Sequence, residues 1–249
     1  MSFKIITDLS EFWKLDTGTL RGVPVIMCVW KRQDNLSKTI ELLNKQKNKD
    51  FDLFLWNNNG DIKNILDGML NNVSANFNIY LYNHEENIGG YGRFYLSRAL
   101  NKLKHYKYSI FIDDDETFNE TMVDDFLSEA EPKKMTSIWG HALCKGQNYQ
   151  VRRKVGFDQD CQYCGTGGMV IDISIFGEQR VFDCPKKYWF IEDLWLSYVG
   201  HTSGWKLKGS KAKVVPTHND GKDMTVWHSG IASLKIEMLK YLRKEGWEV

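Results

Sequence analysis

The sequence predicts an α/β protein: one domain with a Rossmann-like, mostly parallel central sheet flanked by helices, continuing into a more mixed second half. Three observations lead there. Four short runs of β-branched and aromatic residues recur between residues 22 and 112, each nearly continuous in apolar character, as a strand buried on both faces requires. Stretches with apolar residues at helical spacing separate them, the alternation that makes right-handed crossovers. Polar residues or glycines follow every run at its exit, where open parallel sheets bind ligands.

In chain order, "GVPVIMCVW" (22–30) is the pattern of a central parallel strand. Leu36, Ile40 and Leu43 then mark a helix, with an N-capping residue ahead of it in Asp34-Asn35. "FDLFLW" (51–56), "FNIYLY" (77–82) and "YSIFI" (108–112) are strands, and "DIKNILDGML" (61–70) and "GRFYLSRALNKL" (92–103) are the helices between them. Residues from about 22 to 115 thus form a nucleotide-binding half, with the remainder, about 116–249, in the same domain. There "MTSIWGHAL", "NYQVRR", "GGMVIDI" and "AKVVPTH" predict strands, while "EDLWLSYVGHT" and "SGIASLKIEMLKYLRKEG" predict helices. In the last helix Ile231, Leu234, Met238, Leu239 and Leu242 form an apolar stripe. Lys235, Lys240, Arg243 and Lys244 are assigned largely to a solvated face, with contact to an anionic membrane as the alternative.

Composition narrows the functions. A chain of 249 residues, 42% hydrophobic, can build a full core, and a formal net charge of +1 gives no global field for nucleic acid. The first residues lack the basic start and apolar stretch of a secretion signal, and nothing approaches the roughly 20 apolar residues of a membrane span, so the expectation is a cytoplasmic protein without a transmembrane segment. Five cysteines fit a reducing compartment. Cys161 and Cys164 form a lone CxxC without a second ligand pair, and they are read as structural.

The chemistry gathers at the strand exits. Trp30-Lys31-Arg32, Trp56 to Asp61, Asn83 to Arg93 and Asp113-Asp114-Asp115 all carry groups suited to a nucleotide. The run "YSIFIDDDE" ends a strand in four consecutive acids, whose repulsion calls for an offsetting positive charge. A divalent cation, Mn²⁺ or Mg²⁺, bridging substrate phosphates would supply it; an acidic turn capping the next helix is the plain alternative. "NIGGYGR" (87–93) allows close backbone approach at Gly89 and Gly90 and puts a bidentate donor at Arg93, but its spacing is neither the dinucleotide fingerprint nor a P-loop.

Taken together, these segments resemble the GT-A glycosyltransferases, particularly the inverting, family-two-like members that carry a DXD motif. "FIDDDE" is similar to that motif, "VIMCVWKRQDNLSKTIELL" to the family's opening strand, turn and helix, and "LFLWNNNGD" to its second strand and turn. "NIGGYGR", "CGTGGMVIDISIF" and "YWFIEDLWLSY" follow in the family's order, covering most of the chain. The resemblance implies Asp115 as the direct metal ligand, Asp113 on the ribose or the metal, and Asp114 as an orienting neighbour. Trp30 and Arg32 would lie along the base, with Asn57 or Asn58 reading its edge where the family usually has an aspartate. Gly89, Gly90 and Arg93 would complete the nucleotide-sugar site, and Gly167 and Gly168 the acceptor side. Asp193 is implied as general base with Glu192 assisting. His218 is favoured over His228 as a late metal ligand, Lys222 would reach the diphosphate, and the aromatics Tyr163, Tyr188, Trp189 and Trp195 surround the acceptor, with Trp189 and Trp195 as platforms.

The implied reaction moves a sugar from a nucleoside-diphosphate sugar, a UDP-sugar before a GDP-sugar, to a hydroxyl of a glycan or lipid-linked sugar. A retaining transferase, a sugar-nucleotidyltransferase and a non-catalytic carbohydrate-binding protein remain as alternatives; the nucleotidyltransferase would need a glycine-rich loop where this chain has "WKRQDN".

Overall fold

A computed structural model describes residues 2–217 and 230–249. Its first half comprises β1 (Phe3–Ile6), β2 (Val23–Val29), α1 (Gln33–Asn44), β3 (Phe51–Asn57), α2 (Lys63–Asn72), β4 (Ile79–Asn83), α3 (Gly92–Lys102) and β5 (Tyr108–Ile112). There follow β6 (Glu116–Phe118), α4 (Met122–Glu129), β7 (Lys134–Ser137), β8 (Gly140–Leu143), β9 (Arg152–Lys154), β10 (Tyr163–Cys164) and β11 (Met169–Asp172). The chain ends in α5 (Glu192–Thr202), β12 (Lys206–Gly209), β13 (Val214–Pro216) and α6 (Ile231–Lys244).

Eight strands form the central sheet in the order β1-β4-β3-β2-β5-β11-β7-β12. All neighbours are parallel except β11, which runs antiparallel to both β5 and β7. The predicted Rossmann-like, mostly parallel sheet is therefore present, with the mixed part in the second half. Alternation along each strand divides the core into two layers. Val25, Leu53, Leu81 and Ile110 face one layer, closed by Leu36, Ile40 and Leu43 of α1, Leu66 and Leu70 of α2 and Phe126 of α4. Ile26, Phe54, Tyr80 and Phe111 face the other, under Phe94 and Leu100 of α3, Leu194 and Val199 of α5, and Met238 and Leu242 of α6. Each such side chain contributes about 1.5–3 kcal/mol by leaving water, which is what fixes the helices over the sheet.

Several expectations are corrected. The sheet begins at β1, before residue 22, where Phe3–Ile6 pairs with β4. "MTSIWGHAL" is not one strand: β7 stays in the main sheet, whereas β8 joins a three-stranded sheet ordered β10-β8-β9. In "NYQVRR" only Arg152 and Arg153 enter a strand. Val214–Pro216 pairs antiparallel with β6, outside the main sheet, so it seals the edge of the acidic turn. α1 has no side-chain cap: Arg32 occupies its N-cap position, while Asp34 and Asn35 fall inside the first turn, Asn35 donating to the Asp114 carbonyl at 3.0 Å. Cys161 and Cys164 are free, buried thiols, Sγ to Sγ 3.4 Å. Among the described residues no helix is long and apolar enough to cross a membrane.

Candidate active site

A cleft of about 1220 Å³ opens beyond the carboxyl ends of β2 and β5. Small-molecule sites usually occupy roughly 300–1,000 Å³, so it has room for more than one substrate. One end is lined by Trp30, Lys31, Arg32, Gly89, Gly90, Arg93 and the acids 113–116, the other by Trp139, Tyr149, Tyr163, Phe190, Asp193 and Lys235. The topology explains the meeting: β2 and β5 are neighbours at the sheet centre, and α5 and α6 pack together on one face.

The acidic end is held by two arginines. Arg93, 4% exposed on α3, donates to Asp113 Oδ1 at 2.6 Å and to the Thr166 carbonyl at 3.0 Å. Arg32 donates to Asp114 at 3.1 Å and to Asp115 at 2.8 Å. Burial opposes the charge of Arg93, yet Asp113 and other acidic groups outweigh it and hold the guanidinium above its ordinary range. Asp114 is pushed up to about 6 by burial, against the pull of Arg32. Glu116, wholly enclosed, is raised well above the usual carboxylate range by burial and by Asp113, while its Oε2 accepts from the Asp113 amide at 2.9 Å. The Asp115 carbonyl accepts from the Thr217 amide and hydroxyl, at 2.6 and 2.8 Å, which ties the turn to β13.

Two glycines are required by crowding. A Cβ on Gly90 would land on the Glu192 carboxylate, and one on Gly167 would collide with Asp113 and Glu116. Gly90→Ala is therefore expected to destabilise the fold by about 1–3 kcal/mol, the usual cost of overpacking, and a thermal melt against the native chain checks it.

At the other end Asp193 lies in the first turn of α5, its side chain 14% exposed. Its Oδ2 accepts from the Tyr163 hydroxyl and from Lys235 Nζ at 2.7 Å, and its Oδ1 from the Leu194 amide at 2.7 Å. Lys235 also donates to the Tyr163 hydroxyl at 2.9 Å. Burial raises Tyr163 well above its ordinary range, and Asp193 adds to it. Glu192 is buried, accepts from the Thr166 hydroxyl at 3.0 Å, and is raised to about 7 by burial against the pull of Arg93.

Not every anticipated residue faces this cleft. Asn57 is fully buried and donates to the Asn59 carbonyl and Asn83, at 2.8 and 2.9 Å. Asn58 lines the cleft, but its side chain accepts from the Trp56 indole and donates to the Gly89 carbonyl, so both asparagines knit the loops together. Gly168, at φ +61°, turns against Ile138. Trp189 stacks on Tyr91 at 5.2 Å beside a smaller pocket, and Trp195 donates its indole N–H to the Arg180 carbonyl in the core; neither lines the cleft as an acceptor platform. Tyr188 does not line the cleft, whereas Trp139, Tyr149 and Tyr163 do, the two tyrosines themselves 1% and 4% exposed. His218, His228 and Lys222 lie outside the described residues.

Lys235 is the main residue assigned to the wrong place. It is 4% exposed rather than solvated. The signal was in the register: residues 231, 235, 238 and 242 share one helical face, so Lys235 falls in phase with the apolar stripe and needs a buried acid.

No protein-family model matches the chain, and no curated protein matches its sequence. Solved structures do match, among them those of S. aureus TarS. One TarS structure is matched over 87% of this chain and 43% of that chain, at 13% identity and TM-score 0.56. TarS 1–349 in complex with UDP-GlcNAc is matched over 82% of this chain and 61% of that one, at 15% identity and TM-score 0.58. The complex with UDP gives 80%, 61%, 14% and 0.55 in the same order. This chain spans less than two thirds of the length of those TarS chains, and the likeness is one of fold. That fold, a large, mostly parallel sheet flanked by helices, is consistent with the GT-A-like glycosyltransferase architecture that the motifs resemble.

Proposed function

We propose that the chain is an inverting, metal-dependent glycosyltransferase that takes its sugar from a nucleoside-diphosphate sugar. The observation that carries this reading is the single cleft with an arginine-held acidic turn at one end and an accessible carboxylate, Asp193, at the other. TarS, the same fold, has been solved with UDP and with UDP-GlcNAc, which favours a UDP-sugar over a GDP-sugar here. The acceptor is a hydroxyl of a glycan or lipid-linked sugar, and the work is done in the cytoplasm, where such donors are made.

Asp113 and Asp115 offer the hard oxygen donors that Mg²⁺ and Mn²⁺ favour, and both line the cleft, so their chemistry fits such an ion. Among the described residues no group of three metal-ligating side chains stands together, so the rest of the shell would come from substrate, water or His218. A bound cation would stabilise the charge gathering on the departing diphosphate. Arg32 and Arg93 bring positive charge to the same end. Asp193 accepts the acceptor's hydroxyl proton as that oxygen bonds to the anomeric carbon, and the bond from that carbon to the diphosphate oxygen breaks, its electron pair leaving with the nucleotide. Trp139, half-buried on the cleft wall, offers the acceptor ring a face, whereas Tyr149 and Tyr163 are 1% and 4% exposed and carry Lys235 against their rings.

Proton NMR of UDP-sugar turnover, with water or a glycan hydroxyl as acceptor, tests the reading. The first sugar product is expected with its anomeric configuration inverted. A product formed with retained configuration would contradict the direct displacement.

A further inference from the structure

Positive charge at the acceptor end of the cleft exceeds what the protein itself neutralises. β8 and β9 pair antiparallel, with His141 opposite Lys154 and Leu143 opposite Arg152. Residues two apart on a strand share a face, so Arg152, Lys154 and His141 stand on the same side of this small sheet. Arg152 and His141 line the cleft, and the Lys154 ammonium lies 4.7 Å from the ring centre of Trp139, which lines it too. Arg152 donates to the Tyr149 carbonyl at 3.2 Å and lies over the Tyr149 ring at 4.4 Å, while its buried Nε has no hydrogen-bond partner. Lys235 is matched by Asp193, but among the described residues neither Arg152 nor Lys154 pairs with a carboxylate. His141 registers the excess: burial, and after it the charges of Arg152, Lys154 and Lys235, hold it below its ordinary value.

Exposed charges keep an edge strand such as β9 from pairing with another chain, and the exposed Arg153 serves that end. It does not account for Arg152, half-buried in the cleft wall, whose enclosed N–H is costly to leave without an acceptor. We propose that Arg152 and Lys154 bind an anionic group of the acceptor, a phosphate or a carboxylate, so that the enzyme glycosylates a charged glycan in preference to a neutral one. An anionic acceptor narrows the transferase reading given above and depends on it. The planar fork of Arg152, Nε included, suits two oxygens of one anion, and Lys154 adds a mobile charge beside it. A sugar ring lying on the Trp139 indole would place a charged substituent within reach of Lys154, which already sits over that ring.

The test is an NMR titration of the ¹⁵N-labelled full chain, with UDP and Mg²⁺ present, using glucose, glucose 6-phosphate and glucuronate as probes. At least one anionic sugar is expected to bind about tenfold or more tightly than glucose and to shift the Arg152 Nε–H signal, and whichever binds tighter names the anion. The advantage should shrink in high salt, vanish in Arg152→Gln and fall in Lys154→Gln. Lys154 is exposed, so its variant keeps the test open if Arg152→Gln does not fold. Equal binding of the three sugars, binding of none, or an advantage that survives both substitutions would overturn the proposal. So would a loss of UDP affinity in Arg152→Gln, which would assign the cation to the nucleotide. The transferase reading fails separately: a chain that binds no nucleoside diphosphate would refute it whatever the sugars do.

Discussion

Asp193→Asn is expected to lower sugar transfer by about 10²–10⁴-fold, the range supplied by a positioned general base, while UDP affinity stays within about a factor of two. The asparagine keeps the shape of the side chain and can still accept from Tyr163 and Lys235, but it leaves the buried Lys235 without its counter-charge and the Leu194 amide without its acceptor, so a thermal melt accompanies the assay to show that the variant is folded. What it loses is the capacity to take a proton. The affinity clause matters because the Asp193 carboxylate bonds to Tyr163, Lys235 and the Leu194 amide, and to neither the acidic turn nor the two arginines that hold it. Parallel loss of transfer and UDP binding would show instead that Asp193 organises the whole cleft. Steady-state kinetics and UDP titration on the same preparation separate the two.

The second large effect is on stability. Arg93→Met is expected to destabilise the protein by about 3–5 kcal/mol, the cost of stripping one partner from a buried ion pair, which for a chain of this size lowers the melting temperature by on the order of 10 °C. Arg93 is 4% exposed, spans from Asp113 to the Thr166 carbonyl, and lies over the Phe111 ring at 5.8 Å. Without it Asp113 faces Glu116 and Glu192 with no buried cation among them. Lysine should restore little, since one ammonium cannot reproduce a forked contact to two acceptors. The defect should also depend on pH. Glu192 is raised from about 4.5 to about 7 in the fold, so the native state binds its proton more tightly than the unfolded chain, and stability declines as pH rises through that window. Arg93 counters this by lowering Glu192, and it does so fully only where Glu192 is ionised. The gap between variant and native should therefore be smaller at pH 5 than at pH 8. Thermal melts across that range check it, and a constant gap would mean that Glu192 does not feel the arginine.

From β2 to β5 the chain was legible because those strands are largely buried on both faces and each helix between them carries an apolar stripe, so periodicity alone places them. β1 and β12 were missed since a four-residue strand such as Phe3–Ile6 at a sheet edge has too few residues for a pattern. "MTSIWGHAL" reads as one strand because apolar residues run on through Ile138 and Trp139, where the chain changes sheets. The acidic turn stood out because consecutive carboxylates at a strand end are electrostatically costly. What the sequence did not disclose was that Arg32 and Arg93, from two distant segments, hold those acids within the protein itself. The aromatic wall was misassigned for a simpler reason. With nine tryptophans in the chain, proximity to the Glu-Asp pair in sequence does not distinguish Trp195, in the core, from Trp139, in the cleft.

The central claim, a nucleotide-sugar site built on the acidic turn, is tested most directly by calorimetric titration of UDP, GDP and their sugars into the native chain and into Asp115→Ala, with Mn²⁺, with Mg²⁺ and with chelator. The account predicts one site per chain, selective for UDP, that weakens at least about tenfold, or 1.4 kcal/mol, when either the ion or Asp115 is removed. No binding of any nucleoside diphosphate under any of these conditions would contradict it.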